Sequence, residues 1–179
     1  NIKQLRLINS PIKTGHGNNG GHGDSANAGR LLVLDPLALD AAPVEIEIGS
    51  HPAHVVTDRE GKRAFASNAG DDTISVVDLA TRAVTPIPAG DYPHGLRLSP
   101  DGRYLLVANV EGGDVSLFDT ATLAEAARIP VGAAPVQVAF LSDGSRAYVS
   151  LRDEDAVAVI DLATREVTAR IPVGDGPIQ

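Results

Sequence analysis

The chain has 179 residues and a formal charge of −8, from 15 Lys and Arg against 23 Asp and Glu, so a basic nucleic-acid-binding surface is excluded as the default reading. With 43% hydrophobic and 21% charged residues it has the composition of a folded globular protein, while 3% aromatic residues and no Trp leave little for a stacking site. The lack of Cys and Met removes disulfides, thiolate metal sites, cysteine nucleophiles, covalent haem attachment and thioether ligands together. It leaves the redox compartment open, and the missing initiator is what a processed chain, or a piece of a longer one, would show. No run approaches the roughly 18 apolar residues that span a bilayer, and no charged-then-apolar signal opens the sequence, so no membrane span is expected.

In chain order, LRLIN (Leu5 to Asn9) and RLLVLD (Arg30 to Asp35) are apolar runs of strand length. Between them lies SPIKTGHGNNGGHGDSANAG, a Gly/His-rich insert over residues 10–29 with too few apolar side chains for a core of its own. Residues 1–48 therefore read as a divergent partial unit. A repeat begins at Gly49. Gly49, Gly90, Gly132 and Gly174 stand 41, 42 and 42 residues apart and open GSHPAHV, GDYPHGL, GAAPVQV and a short GDGPIQ. Pro52, Pro93, Pro135 and Pro177 keep step, and nine residues beyond each of the first three comes a glycine, Gly61, Gly102 or Gly144. An acid and a glycine between apolar runs make a hairpin turn, because glycine accepts positive φ.

After each turn follow RAFASN, RYLLVAN or RAYVSL, and then TISVVD, DVSLFD or AVAVID, whose closing Asp78, Asp119 and Asp161 lie 26 residues beyond the prolines. Each acid opens a DLAT or DTAT turn in which its side chain accepts from nearby backbone amides, and a fourth strand follows. The units are thus 49–89, 90–131 and 132–173, with 174–179 starting another. Asn68 and Asp78 are ten residues apart, whereas Asn9 and Asp35 are 26 apart, which places a sixteen-residue insertion between strands two and three of the first unit.

Four short strands per unit of about 40 residues predict an all-β fold, a β-propeller of four-stranded antiparallel blades. Three blades are complete and one is split between the termini. Two closures are open. Gly176 to Gln179 completes a four-bladed ring against the N-terminal strands, or the chain continues, or associates as a homo-oligomer, into a larger ring; an open arc leaves faces and edges unpaired, which favours association. The expected core comprises Val55, Phe65, Val76, Leu96, Leu106, Leu117, Val138, Tyr148 and Val159.

SDGSRAYVSLRDEDAVAVIDLATREVTARIPVG resembles the YVTN repeat, a blade family related to lactonase-like and cytochrome d1-type propellers. The resemblance covers residues 49–179 well and residues 1–48 less closely. It implies a ring of about seven blades, and a periplasmic or extracellular location.

Gly15-His16-Gly17-Asn18-Asn19-Gly20 matches G-x-G-x-x-G but lacks the strand before and the helix after that a dinucleotide fingerprint needs. No G-x-S-x-G, H-E-x-x-H or P-loop occurs. All five histidines, His16, His22, His51, His54 and His94, lie in the first half of the chain. In a blade, the connection from strand four to the next strand one and the loop from strand two to strand three emerge on one face. That face would carry His51, His94 and the insert with His16 and His22, with His54 at the start of the innermost strand. Converging there with Asp24, these imidazoles would suit Zn²⁺ or Cu²⁺; the simpler reading, which is preferred, is that His51 and His54 pack against Pro52 and cap backbone groups while the loop histidines are solvated. The resemblance adds haem iron to the candidates, because related propellers hold a modified haem or a copper cluster through histidines on this face. Ala134, Val136 and Gln137 replace His or Tyr in the last full unit, so any site is one-sided.

Asp71, Asp72, Glu111, Asp114, Asp153, Glu154 and Asp155 fall in successive loops of the same face, as a cation-binding or partner-binding rim or as solvated loop surface. Arg63, Arg103 and Arg146 recur after the turns and are expected to make one shared structural contact. Together these observations favour a non-enzymatic binding or scaffold propeller of the cell envelope, holding a protein or small ligand on the loop face. The alternatives are a redox enzyme or accessory with a histidine-held metal or haem on that face, and a lactonase-like hydrolase for which no residue can be named.

Overall fold

The computed structural model describes residues 4–8, 28–38 and 40–178. Its strands form four antiparallel sheets in which each strand pairs with its sequence neighbour. The first sheet has three strands, β1 (Gln4–Ile8), β2 (Ala28–Leu34) and β3 (Val44–Ser50). The second contains β4 (Pro52–Thr57), β5 (Arg63–Asn68), β6 (Thr73–Asp78) and β7 (Val84–Pro88). The third contains β8 (Pro93–Leu98), β9 (Tyr104–Asn109), β10 (Asp114–Asp119) and β11 (Glu125–Pro130). The fourth contains β12 (Pro135–Phe140), β13 (Arg146–Leu151), β14 (Ala156–Asp161) and β15 (Glu166–Pro172), with one 3₁₀ turn at Arg152–Glu154. This is the blade arrangement expected from the repeat. Residues 9–27, which hold most of the insert, lie outside the described residues.

Local chemistry sets the strand ends. Gly61, Gly102 and Gly144 have φ of +66°, +74° and +74°, values that exclude most side chains and close the first hairpin of each blade. At the far end of the third strands, one oxygen of Asp78, Asp119 or Asp161 accepts from the N–H groups two and three residues on, at 2.7–3.0 Å. Those bonds hold all three carboxyls below the usual carboxylate range.

Alternation along the strands then sends neighbouring residues into different interfaces. Ala64 and Ala66 face the first sheet, where they meet Leu31, Val33 and Ile46. Phe65, between them, faces the third sheet and packs with Leu96, Leu105 and Val107. Leu106 and Leu117 face the fourth sheet, against Val149 and Ile160. Each fully buried side chain of this size contributes about 1.5–3 kcal/mol. Phe65 pairs with Val76, Leu106 with Leu117 and Tyr148 with Val159, so the expected core is in register.

Two members of that core are only half-buried. Val55 lies at the rim of the first interface. Tyr148 occupies the position of Phe65, but among the described residues no sheet covers that side of the fourth blade. Ile87 is 8% exposed in the second blade, and its counterpart Ile171 is 46% exposed. Residues 174–178 form no strand and the first sheet keeps three, so the four-bladed closure is not formed by the described residues.

The arginines also depart from expectation. Arg63 and Arg146 follow their turn glycines by two residues, but Arg103 follows Gly102 by one. Arg63 therefore reaches Asp58 at 3.4 Å and donates to the Thr120 carbonyl at 2.6 Å, while Arg103 lies 3.9 Å from Asp119. Arg63 and Arg103 thus make different contacts, while Arg103 and Arg146 each lie near the acid that ends strand three of their blade, Asp119 and Asp161.

Candidate functional site

The first strands of three blades, β4, β8 and β12, neighbour one another along the inner edge of the sheets. Each starts at a proline, and the residue before it is left-handed: His51, Tyr92 and Ala134 have φ of +46°, +55° and +50°. This kink turns their carbonyls toward the loop between strands two and three, where Ala69, Val110 and Arg152 N–H groups donate to them at 3.0–3.1 Å. The two kinds of connection thus share one face, as the topology predicts.

Just inside that face all three strands carry the same irregularity, between Pro52 and Val55, Pro93 and Leu96, and Pro135 and Val138. Such a bulge re-aims the side chains within it. Serine hydroxyls fill the gap it leaves. Ser67 accepts from the His54 N–H at 3.1 Å and donates to the His94 carbonyl at 2.6 Å, and Ser150 accepts from the Gln137 N–H at 3.1 Å.

The re-aimed side chains meet. The His54 and His94 rings lie edge to face with centroids 4.9 Å apart. The Gln137 amide nitrogen donates to His54 Nε2 at 3.0 Å, which leaves the imidazole proton on Nδ1. This contact links the second and fourth blades across the third, and Gly95 permits it: a Cβ there would lie 2.5 Å from Gln137 Oε1 and would collide with the Val136 carbonyl. Burial, then the neighbouring His94 and Arg97, push the His54 pKa below 6.5, so the ring is neutral at neutral pH. His94 Nδ1 and Gln137 Oε1 are buried without a hydrogen-bond partner, a costly condition for a polar atom. Beside the group lies a cavity of about 430 Å³, lined by His54, Arg97, Gln137 and Ser150 and continuing along Tyr148 and Val157 on the side of the fourth blade that no described sheet covers.

Of the five candidate histidines, the structure brings together His54 and His94. His51 is exposed on the loop face, with its ring against Gly70. His16 and His22 lie outside the described residues, as does Asp24. Among the described residues no group of three or more His, Asp or Glu side chains is placed to hold a metal ion.

Most of the acidic rim has structural work instead. Asp71 accepts from the Ser50 N–H at 2.6 Å, Asp72 from Tyr92 at 2.9 Å, Glu154 from Ala133 at 2.6 Å and Asp155 from Gly176 at 2.8 Å. Asp114 accepts from the Asn109 amide, and Asp153 pairs with Arg152, both at 2.6 Å. These carboxylates tie the interblade connections to the loops. Sequence reasoning missed Arg97 and the role of Gln137. The signal was available, because the position two beyond the proline reads His54, Gly95 and Gln137 in successive blades.

The comparisons agree on the architecture. None of the curated proteins compared with the chain matches it. Among solved structures, hydrazine synthase of Kuenenia stuttgartiensis superposes with a TM-score of 0.67 and 28% identity, over 73% of this chain and 39% of that one. A protein of Bacteroides fragilis assigned as a 6-phosphogluconolactonase gives 0.66 and 19%, over 87% and 54%. The dihydro-haem d1 dehydrogenase NirN, in complex with DHE, gives 0.67 and 16%, over 85% and 36%. The chain therefore spans 39%, 54% and 36% of the length of these three structures. The model of the YNCE-like beta-propeller family matches residues 28–179, and the chain belongs to that family.

Proposed function

We propose that the chain is a non-enzymatic binding propeller, periplasmic or extracellular, whose cavity at the inner strands holds a small molecule. One observation carries this reading: His54, His94 and Gln137, from three blades, converge beside a cavity of about 430 Å³ and leave two buried polar atoms unpaired. Cavities of about 300–1,000 Å³ with a few convergent polar groups are the usual form of small-molecule sites. The location follows the resemblance to the YVTN repeat.

The Ser67 hydroxyl donates to a backbone carbonyl at 2.6 Å, so it is not placed as a nucleophile activated by either imidazole. For Zn²⁺, the described residues offer two adjacent imidazoles, fewer than the three or four protein ligands usual for that ion.

The test is a thermal-shift screen of the purified chain against small metabolites, combined with elemental analysis and a visible spectrum. Hits whose stabilisation disappears in His54→Ala, from protein with substoichiometric metal and no haem absorbance, are expected. Stoichiometric zinc, copper or iron that is lost when His54 and His94 are replaced would overturn the reading in favour of a metal or haem propeller.

A further inference from the structure

Resting on that ligand-binding reading, we propose that the cavity takes a small organic carboxylate, its anionic head on the Arg97 guanidinium and its carbon body along Ala139 and Val157. The charge pattern is the first reason. The chain carries 23 acids against 15 bases, yet the cavity lining contains Arg97 and no Asp or Glu.

The second reason is the state of Arg97 itself. Six described arginines lie within 4.0 Å of a carboxylate oxygen; Arg97 is one of six that do not, with Arg6, Arg59, Arg82, Arg146 and Arg165, and of these six it alone lines this cavity. Arg97 is exposed, has no ion pair among the described residues, and donates through Nη1 to the Leu96 carbonyl at 3.0 Å. Its Nε and Nη2 donors are thereby left for an acceptor from outside, and a guanidinium fork matches a carboxylate in shape. No blade duty explains the residue, because the equivalent positions hold Val56 and Ala139.

Third, the neighbours suit an anion with a carbon skeleton. Arg97 and His94 already disfavour a proton on His54, and an anion would relieve that positive field. Ala139, Val157 and the Tyr148 ring form the accessible apolar part of the lining, which bare phosphate would not use but an aliphatic chain would.

The experiment follows the imidazole ¹³Cε1–¹H NMR signals of the whole 179-residue chain at constant ionic strength, with His54 identified by its loss in His54→Asn. The probes are propionate, its neutral analogue propionamide, and inorganic phosphate. Propionate is expected to shift the His54 signal saturably, with affinity about tenfold weaker in Arg97→Gln and unchanged in Arg103→Gln, a charge-matched substitution at the opposite, turn end of the sheets. If propionamide binds as well as propionate, or if Arg97→Gln has no effect, the carboxylate assignment fails and the small-molecule reading stands. Phosphate binding more tightly than propionate also overturns the assignment, in favour of an inorganic oxyanion site. If none of the three moves His54, the carboxylate assignment falls, and the small-molecule reading is decided by the thermal-shift screen alone.

Discussion

Asn109→Leu alone is expected to destabilise the protein by about 2.5 kcal/mol, and at most about 5 kcal/mol, and adding Ser116→Ala is expected to restore about 1–3 kcal/mol of it. Asn109 is fully buried at the end of β9. Its amide nitrogen donates to Ser116 Oγ at 2.9 Å and to Asp114 at 2.6 Å, and its oxygen accepts from the Gly90 N–H at 3.2 Å. Asn68 makes the corresponding bond to Ser75 at 2.9 Å. The fourth blade has Leu151 and Ala158 at these two positions, both buried, so within this one chain the amide and the hydroxyl change together. Leucine at position 109 strands the Ser116 hydroxyl and the Gly90 N–H, each at about 1–3 kcal/mol, against roughly 1–2 kcal/mol regained from apolar burial. Removing the hydroxyl cancels one of the two penalties. Urea unfolding of the four proteins of the cycle, followed by far-UV circular dichroism with a common m-value, measures the coupling. Free energies that add to within about 0.5 kcal/mol would refute the idea that the pair acts as a unit.

Two further outcomes are expected. His51→Gly should raise stability by up to about 1 kcal/mol, because φ of +46° strains a residue with a Cβ and the exposed ring gives little in return; a lower urea midpoint would show that the ring has a structural role. The His54 pKa is held below 6.5 by burial, His94 and Arg97. The unfolded chain therefore takes up that proton first, and stability declines as pH falls through 6.5 and levels off below the native pKa. A thermal midpoint that drops from about pH 7.5 to about pH 5.5, with a shallower drop in His54→Gln, is expected; identical slopes in the two proteins would sink this attribution.

The blades were legible because their determinants are local and repeated. Turn glycines at Gly61, Gly102 and Gly144, and capping acids at Asp78, Asp119 and Asp161, announce strand ends without any tertiary knowledge. Alternation within RAFASN fixes which residues face which blade. The uses of Asp71, Asp72, Glu154 and Asp155 were not legible, since their partners are backbone N–H groups 20 or 21 residues away and nothing in the sequence marks a backbone donor as unpaired. The exposure of Tyr148 is equally invisible, because it depends on what lies beyond the fourth sheet and not on the residue itself. His54 and His94 were found by residue type, but their contact with Gln137 needed the bulge and the empty position at Gly95 to be known.

The division of labour within one strand explains why a repeat reveals the fold before it reveals the site. Three residues beyond the proline, every blade has an aliphatic side chain, Val55, Leu96 or Val138, each in an interface between sheets. That position must serve the same packing each time, so it stays uniform. One residue beyond the proline the blades read Ala53, His94 and Val136; two beyond, His54, Gly95 and Gln137; four beyond, Val56, Arg97 and Ala139. Of these, His54, His94, Arg97 and Gln137 meet at the shared inner edge, where the blades meet one another's differences rather than their likenesses. A ligand there would contact several blades at once and present different chemistry to each, so identical residues would serve it poorly. Two imidazoles, one amide and one guanidinium, supplied by otherwise similar strands, are what such a ligand would require. The positions that break the repeat are therefore where binding chemistry is to be sought in this chain, and the positions that keep it carry the stability.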